Sequence, residues 1–192
     1  MGTVRTYRSG FGRVLTVGMA LVAVVALAST ARTQGTGAVL STGAPPLAAA
    51  VGVWALFWRP ALEVSDDGLT VINVLRTTHV PWPCVTGVDV TWSLRVLTTR
   101  GPLTVWAVPV RGVLAARAAH RRGGEGAGVR PTAGADAPAV AGEITARLDT
   151  LRETGVGTPT RDAVGPTERW HVGTIAVLGV LVTWVWLGAL AP

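Results

Sequence analysis

The chain has 192 residues and a mass of 19.8 kDa, with 49% hydrophobic and only 15% charged residues and a mean hydropathy of +0.44. An average soluble domain carries about 25% charged residues, so apolar segments of membrane type are expected. The net charge is +6, but four arginines and no acid fall in the first 32 residues, whereas 59–169 holds 13 Arg against 11 acids. The folded part is therefore close to neutral, which excludes the basic stripe of a nucleic-acid binder. All 17 basic residues are arginine, and the single cysteine, Cys84, rules out an intramolecular disulfide.

Residues 1–13 are polar and basic and form the N-terminal tail. Residues 14–31 (VLTVGMALVAVVALASTA) carry no charge, and as a helix they reach about 27 Å, close to the thickness of a hydrocarbon core. The basic start, apolar centre and Ala26-Leu27-Ala28 also fit a signal peptide. A retained helix is the expectation here, because a second uncharged segment, 38–58, follows after a short polar turn. Pro45-Pro46 lies inside that second segment and predicts a bend or a late helix start. Trp54, Trp58 and then Arg59 close it in the order in which a helix meets the headgroup layer. A third segment, 171–190, is bracketed by Arg169 and Trp170 on one side and Trp184 and Trp186 on the other.

Arg5, Arg8 and Arg13 precede the first segment, Arg59 follows the second, and Arg161 and Arg169 precede the third. In a three-span topology these flanks share one side, with Arg32 opposite. The positive-inside rule then predicts an inner-membrane protein with the N-terminus and 59–169 in the cytoplasm. No Asp, Glu, Lys or Arg lies within the spans, which argues against ion pumping or proton-coupled transport. The spans read as anchors.

Between 59 and 110 the periodicity shortens to strands. Residues 62–65 lead into Asp66-Asp67-Gly68, a hairpin turn, because Asp and Gly tolerate positive φ. Residues 69–74 and 76–80 continue the meander until Pro81-Trp82-Pro83 breaks it. In 87–92, Val88, Val90 and Trp92 alternate with Asp89 and Thr91; 94–99 turns at Arg100-Gly101-Pro102 into 103–108. Short strands with tight turns predict an antiparallel barrel or sandwich. Residues 113–122 are short and Ala-rich, and 123–138 is a Gly/Ala/Pro-rich insert expected to be flexible. In 140–153, Val140, Ile144, Leu148 and Leu151 share one helical face, suited to covering an open end of the barrel. Residues 154–169 read as a linker.

The stretch RPALEVSDDGLTVINVLRTTHVPW, followed by VTGVDV and LTVWAVPV, resembles the bacterial PH domain of the low-molecular-weight antigen 6 type found in actinobacteria. In that family an R-P…V-x-D-x-G-(L/V)-x-V-x-N…R…(I/V)-P-W pattern follows apolar helices. The matching positions are Arg59, Pro60, Val64, Asp66, Gly68, Leu69, Val71, Asn73, Arg76, Val80, Pro81 and Trp82. The resemblance implies an α+β membrane protein: a PH-like antiparallel domain over 59–153 with a C-terminal helix, plus three transmembrane helices. The third helix and the insert at 123–138 depart from the family plan.

Eukaryotic PH domains grip inositol phosphates with basic residues around the first hairpin. Here that turn carries Asp66-Asp67, which repels phosphate, so phosphoinositide binding is not expected. Arg76, His79, Arg95 and Arg100 are candidates for a basic interaction face beside an anionic leaflet, set against a reading as solvated strand residues. Trp82 and Trp92 suit core packing better than a ligand platform, and Cys84 reads as a buried thiol. His79, His120 and His171 lack metal-ligand spacing, and Gly123-Gly124-Glu125-Gly126 lacks the Lys-Ser/Thr of a phosphate loop. The expectation is a non-enzymatic, cofactor-free module of the membrane surface with the lipid bilayer and an unidentified protein as partners. The alternative is a small structural subunit of a larger envelope complex.

Overall fold

The computed structural model describes residues 4–91, 93–108, 137–155 and 165–190. They divide into two units, one rich in strands and one helical.

The strand-rich unit grows from the hairpin at Ser65. Its N–H and hydroxyl both donate to the Gly68 carbonyl, at 3.0 and 2.9 Å. Only glycine fits at 68, because a Cβ there would overlap the Val80 carbonyl and Pro81 of the next strand. β2 (Ala61–Val64), β3 (Gly68–Ile72) and β4 (Arg76–Pro81) form an antiparallel meander with Val64 opposite Leu69 and Leu69 opposite Val80. β1 (Arg5–Tyr7) lies along β2, with Arg5 opposite Val64 and Tyr7 opposite Leu62. The strand β8 (Thr167–Trp170) flanks β4, giving the order β1-β2-β3-β4-β8. Two stretches read as tail and linker thus supply the edges of the sheet, beyond the expected 59–153.

A single 3-10 turn, Trp82–Cys84, carries the chain out of β4 into a second sheet of β5 (Val85–Asp89), β6 (Arg95–Thr98) and β7 (Gly101–Thr104). Trp82 is buried and its indole N–H donates to the Ser65 carbonyl at 3.0 Å, tying this turn to the first hairpin. Asn73 joins the sheets at another point: its amide donates to the Thr104 carbonyl (2.9 Å) and accepts the Trp106 N–H (3.1 Å).

Helix α4 (Ala137–Glu153) packs along β5 and buries Val140, Ile144 and Leu148 in a core shared by both sheets, with Leu151 packed against its edge. This is the face that the helical periodicity predicts. The barrel expectation is corrected: the described strands form two separate sheets with their own edges, and no barrel closes. Strands β1 and β8 extend one sheet outward, and the α4 face fills the core shared by the two sheets.

In the helical unit, α1 spans Gly10–Gln34, longer at both ends than the expected 14–31. The expected single span at 38–58 is broken into α2 (Thr36–Thr42) and α3 (Ala44–Val53), the latter running on into a π-helical turn, Trp54–Trp58. The two pieces meet at 59°. Pro45 and Pro46 sit in the first turn of α3, where their missing N–H groups and rigid rings prevent the preceding turn from continuing. α5 (Val172–Leu190) completes the unit. Among the described residues two helices, α1 and α5, are therefore long and apolar enough to cross a bilayer, and a third crossing requires the bent pair to act as one span. Gly12 lets α1 approach the Phe57 backbone so closely that a Cβ would overlap the carbonyl. At the other end Leu27 lies beside Gly43, so α1 runs antiparallel to α3. α5 is also antiparallel to that strand of the chain: Thr174 meets Arg59, and the Trp184 indole donates to the Leu40 carbonyl at 3.1 Å.

Candidate functional site

Strand alternation turns Arg5 and Tyr7 to one face of β1 and Thr6 to the other. That face meets α4, on which Glu143, Arg147, Thr150 and Leu151 are one and two turns apart and share a side. Glu143 accepts hydrogen bonds from Arg5, at 2.9 Å, and from the Tyr7 hydroxyl. Arg147 pairs with Asp66 of the hairpin turn while its guanidinium lies over the Trp82 ring, 5.7 Å from the centroid. Together these side chains bound a groove of about 380 Å³, lined by Arg5, Val64, Glu143, Arg147, Thr150 and Leu151.

The groove has an apolar floor, Val64 and Leu151, and a rim of paired charges. Partial burial pushes the Tyr7 phenol above its ordinary pKa, and the hydrogen bond to Glu143 adds to the rise. The Arg5 guanidinium is likewise raised, by its contact with Tyr7 first and then by Glu143. The lining contains neither a thiol nor an imidazole. Its chemistry suits the seating of an apolar side chain between polar rims, and β1 beside it is the outer strand of its sheet.

The four basic residues named from the sequence are spread over three places: Arg76 and His79 on β4, Arg95 on β6 and Arg100 in the turn after it. Arg76 opens β4 and belongs with the helical unit. His79 sits mid-β4, half-buried, with Nδ1 3.0 Å from the Thr70 hydroxyl across the β3–β4 ladder. Arg95 opens β6 opposite Asp89. The Asp89 carboxyl is held below its usual range chiefly by the Thr91 hydroxyl and N–H, with Arg95 a lesser influence. Arg100 lies in the turn at the far end of β6, against Gly165 and Pro166. Trp82 and Cys84 are buried in the core, and Trp92 lies outside the described residues. So do residues 123–136 of the Gly/Ala-rich insert, with His120 and the Gly123–Gly126 stretch.

Sequence reasoning missed the groove because Arg5 and Tyr7 lay in a stretch read as a tail. The 143/147 spacing on a helix was visible, but its partners are far away in the chain.

Residues 59–125 match the family model of the bacterial PH domain. It is this segment, about a third of the chain, that carries the bacterial PH domain. No curated protein and no solved structure matches it. PH domains are generally non-catalytic modules that bind lipids or proteins. The matched region contains the β2–β7 framework and the Asp66 turn but neither β1 nor α4. Five residues of the groove wall and rim (Arg5, Glu143, Arg147, Thr150 and Leu151) thus lie outside the matched region.

Proposed function

We propose that the protein is a membrane-anchored, non-enzymatic interaction module whose bacterial PH domain receives a partner peptide at the groove beside β1. The observation that carries this reading is the juxtaposition of an outer strand with an apolar-floored groove. An extended peptide adding to such an edge would place alternate side chains against the helix. The exposed apolar surfaces of α1 and α5 support the anchoring, and the resemblance to membrane proteins of the antigen 6 type agrees with it. The arginine bias at Arg5, Arg8, Arg13 and Arg59 supports an inner-membrane location with the PH domain in the cytoplasm.

The test is photo-crosslinking of the full chain in native membranes, comparing wild type with Thr150→Arg and Leu151→Glu. These two exposed or half-exposed positions line the groove without entering the deep core. A protein captured by wild type and lost from both variants, with circular dichroism unchanged, supports the groove. Equal capture by all three overturns it. A partner that instead survives gentle extraction in fixed stoichiometry identifies the chain as a structural subunit of an envelope complex. Orientation is read by cysteine labelling at position 67 with Cys84 replaced by alanine. Reaction with an impermeant reagent from outside intact cells would reverse the topology.

A further inference from the structure

Arg13 and Arg59 of the helical unit are held differently from the ion-paired arginines of the strand-rich unit. In the strand-rich unit Arg5, Arg147 and Arg152 each pair with a carboxylate, on Glu143, Asp66 and Asp149 respectively. The described part of the helical unit contains no Asp or Glu at all. Arg59, just past the π-helical turn, donates to the Thr174 hydroxyl and to Nδ1 of His171, and lies over the Trp54 ring at 5.9 Å. Arg13, in the second turn of α1, lies over the Trp58 ring at 5.8 Å. Trp54 and Trp58 are four residues apart on one turn, and the close approach of Gly12 to Phe57 brings α1 alongside it. Two cations from two helices are therefore held on neighbouring indoles by neutral groups, at the same end of the unit. Arg32 stands at the other end of α1.

We infer that Arg13 and Arg59, on the Trp54–Trp58 platform, bind the phosphate of an anionic phospholipid headgroup. The assignment rests on the membrane-anchored reading above. Its warrant is charge complementarity: a guanidinium presents several N–H donors suited to phosphate oxygens, and these two have no carboxylate within their own unit to compete for them. The half-exposed indoles suit the depth at which headgroup and acyl chain meet. The exposed apolar faces of α1 offer the acyl chains a surface immediately below Arg13, at Val14 and Val17.

The full chain is inserted into nanodiscs of phosphatidylcholine doped with a spin-labelled phosphatidylglycerol or spin-labelled phosphatidylcholine, and the immobilised lipid fraction is measured. Wild type retains phosphatidylglycerol in preference to phosphatidylcholine. Arg13→Gln and Arg59→Gln each weaken that preference about fivefold, and Arg32→Gln leaves it unchanged. Arg13 is exposed and among the described residues takes part in no hydrogen bond or ion pair through its side chain, so Arg13→Gln is expected to keep the fold even if Arg59→Gln does not. Equal retention of the two lipids by wild type, or an equal loss in Arg32→Gln, overturns the site. Glycerol phosphate in solution abolishing the preference would assign the two arginines to a soluble phosphate and overturn the lipid. Alkaline carbonate washing of vesicles carrying the chain separates the two readings. A chain that stays inserted without lipid preference sinks this inference alone, and a chain that is washed out sinks the anchoring with it.

Discussion

Leu62, Leu69 and Ile144 of the strand-rich unit are 0% exposed, whereas Val14 and Val172 of the helical unit are 73% and 70% exposed. The residues are of one chemical kind, but only the first unit completes its own burial. Its sheets and α4 remove the apolar groups from water, the ordinary driving force of folding. The second unit satisfies its backbone within helices and leaves its apolar side chains outward, an arrangement suited to hydrocarbon as solvent. Arg13 and Arg59 follow the same contrast: they lie over indoles in a unit whose described residues include no Asp or Glu, whereas Arg5 and Arg147 pair with Glu143 and Asp66.

The largest test of this contrast is a pair of truncations. Ile144→Ala should destabilise the strand-rich unit by about 2–5 kcal/mol, since it leaves a cavity in a packed core. Val180→Ala on α5, 67% exposed, should change stability by less than about 0.5 kcal/mol in a bilayer. Denaturant unfolding of the reconstituted chain, followed by tryptophan fluorescence, reads both. A Val180→Ala penalty comparable to that of Ile144→Ala would show that the α5 face is a packed protein interface, and the contrast between the units would break.

A smaller effect sharpens how the strand-rich half holds together. Asn73→Ala removes one hydrogen bond to the Thr104 carbonyl and one from the Trp106 N–H, leaving both backbone groups without this partner. The expected loss is about 1–3 kcal/mol. Asn73→Asp keeps the acceptor for Trp106 and loses the donor to Thr104, so its cost should fall in between. Amide exchange at Trp106 should accelerate in Asn73→Ala and much less in Asn73→Asp. Equal exchange in both variants would remove Asn73 as the tie between the sheets.

The parts of the fold that were legible in the sequence are the local ones. Asp66-Asp67-Gly68 announces a hairpin within four residues, although none of the three adopts the expected positive φ and Gly68 is required instead by its close approach to Val80 and Pro81. The Val140/Ile144/Leu148 face of α4 repeats at helical spacing over several turns. Asn73 and Trp82 stood out only as positions of the family pattern; the ties each makes to distant segments with its polar edge are not a local signal. Pro45-Pro46 signalled a disturbed helix, though the location of the bend, at Gly43, depends on which residues end α2. The edge strands were illegible for a physical reason. β1 is three residues long, too short to show a period, and its partner Val64 lies far along the chain. β8 is exposed at every position, so no apolar alternation marks it. The groove inherits this blindness, because Arg5 meets Glu143 across 138 residues and Arg147 meets Asp66 across 81. The neutralisation of one carboxylate of the turn by Arg147 could not be seen either, although the acidity of the turn itself could.

The smallest predicted effect concerns the groove and uses a convenience of composition: Tyr7 is the only tyrosine in the chain. Its phenol donates to Glu143, so ionisation both removes the hydrogen bond and sets two negative groups together. Partial burial and that bond raise the folded-state pKa above the ordinary value of about 10, with Arg5 opposing the rise. A group whose pKa is raised on folding contributes stability that is fully present below its unfolded value and is lost as pH rises through the folded value. The contact between β1 and α4 should accordingly weaken only on the alkaline side of pH ~10 and be unaffected near neutrality. Tyrosinate difference absorbance of the reconstituted chain reads the midpoint directly. Glu143→Gln should lower that midpoint toward the ordinary value without unfolding the core, because Glu143 is half-buried at the rim while Ile144 beside it carries the packing. A midpoint unchanged by Glu143→Gln would detach β1 from α4 and leave the groove without its outer wall. The strand-rich unit would then keep its own core but lose the groove beside β1.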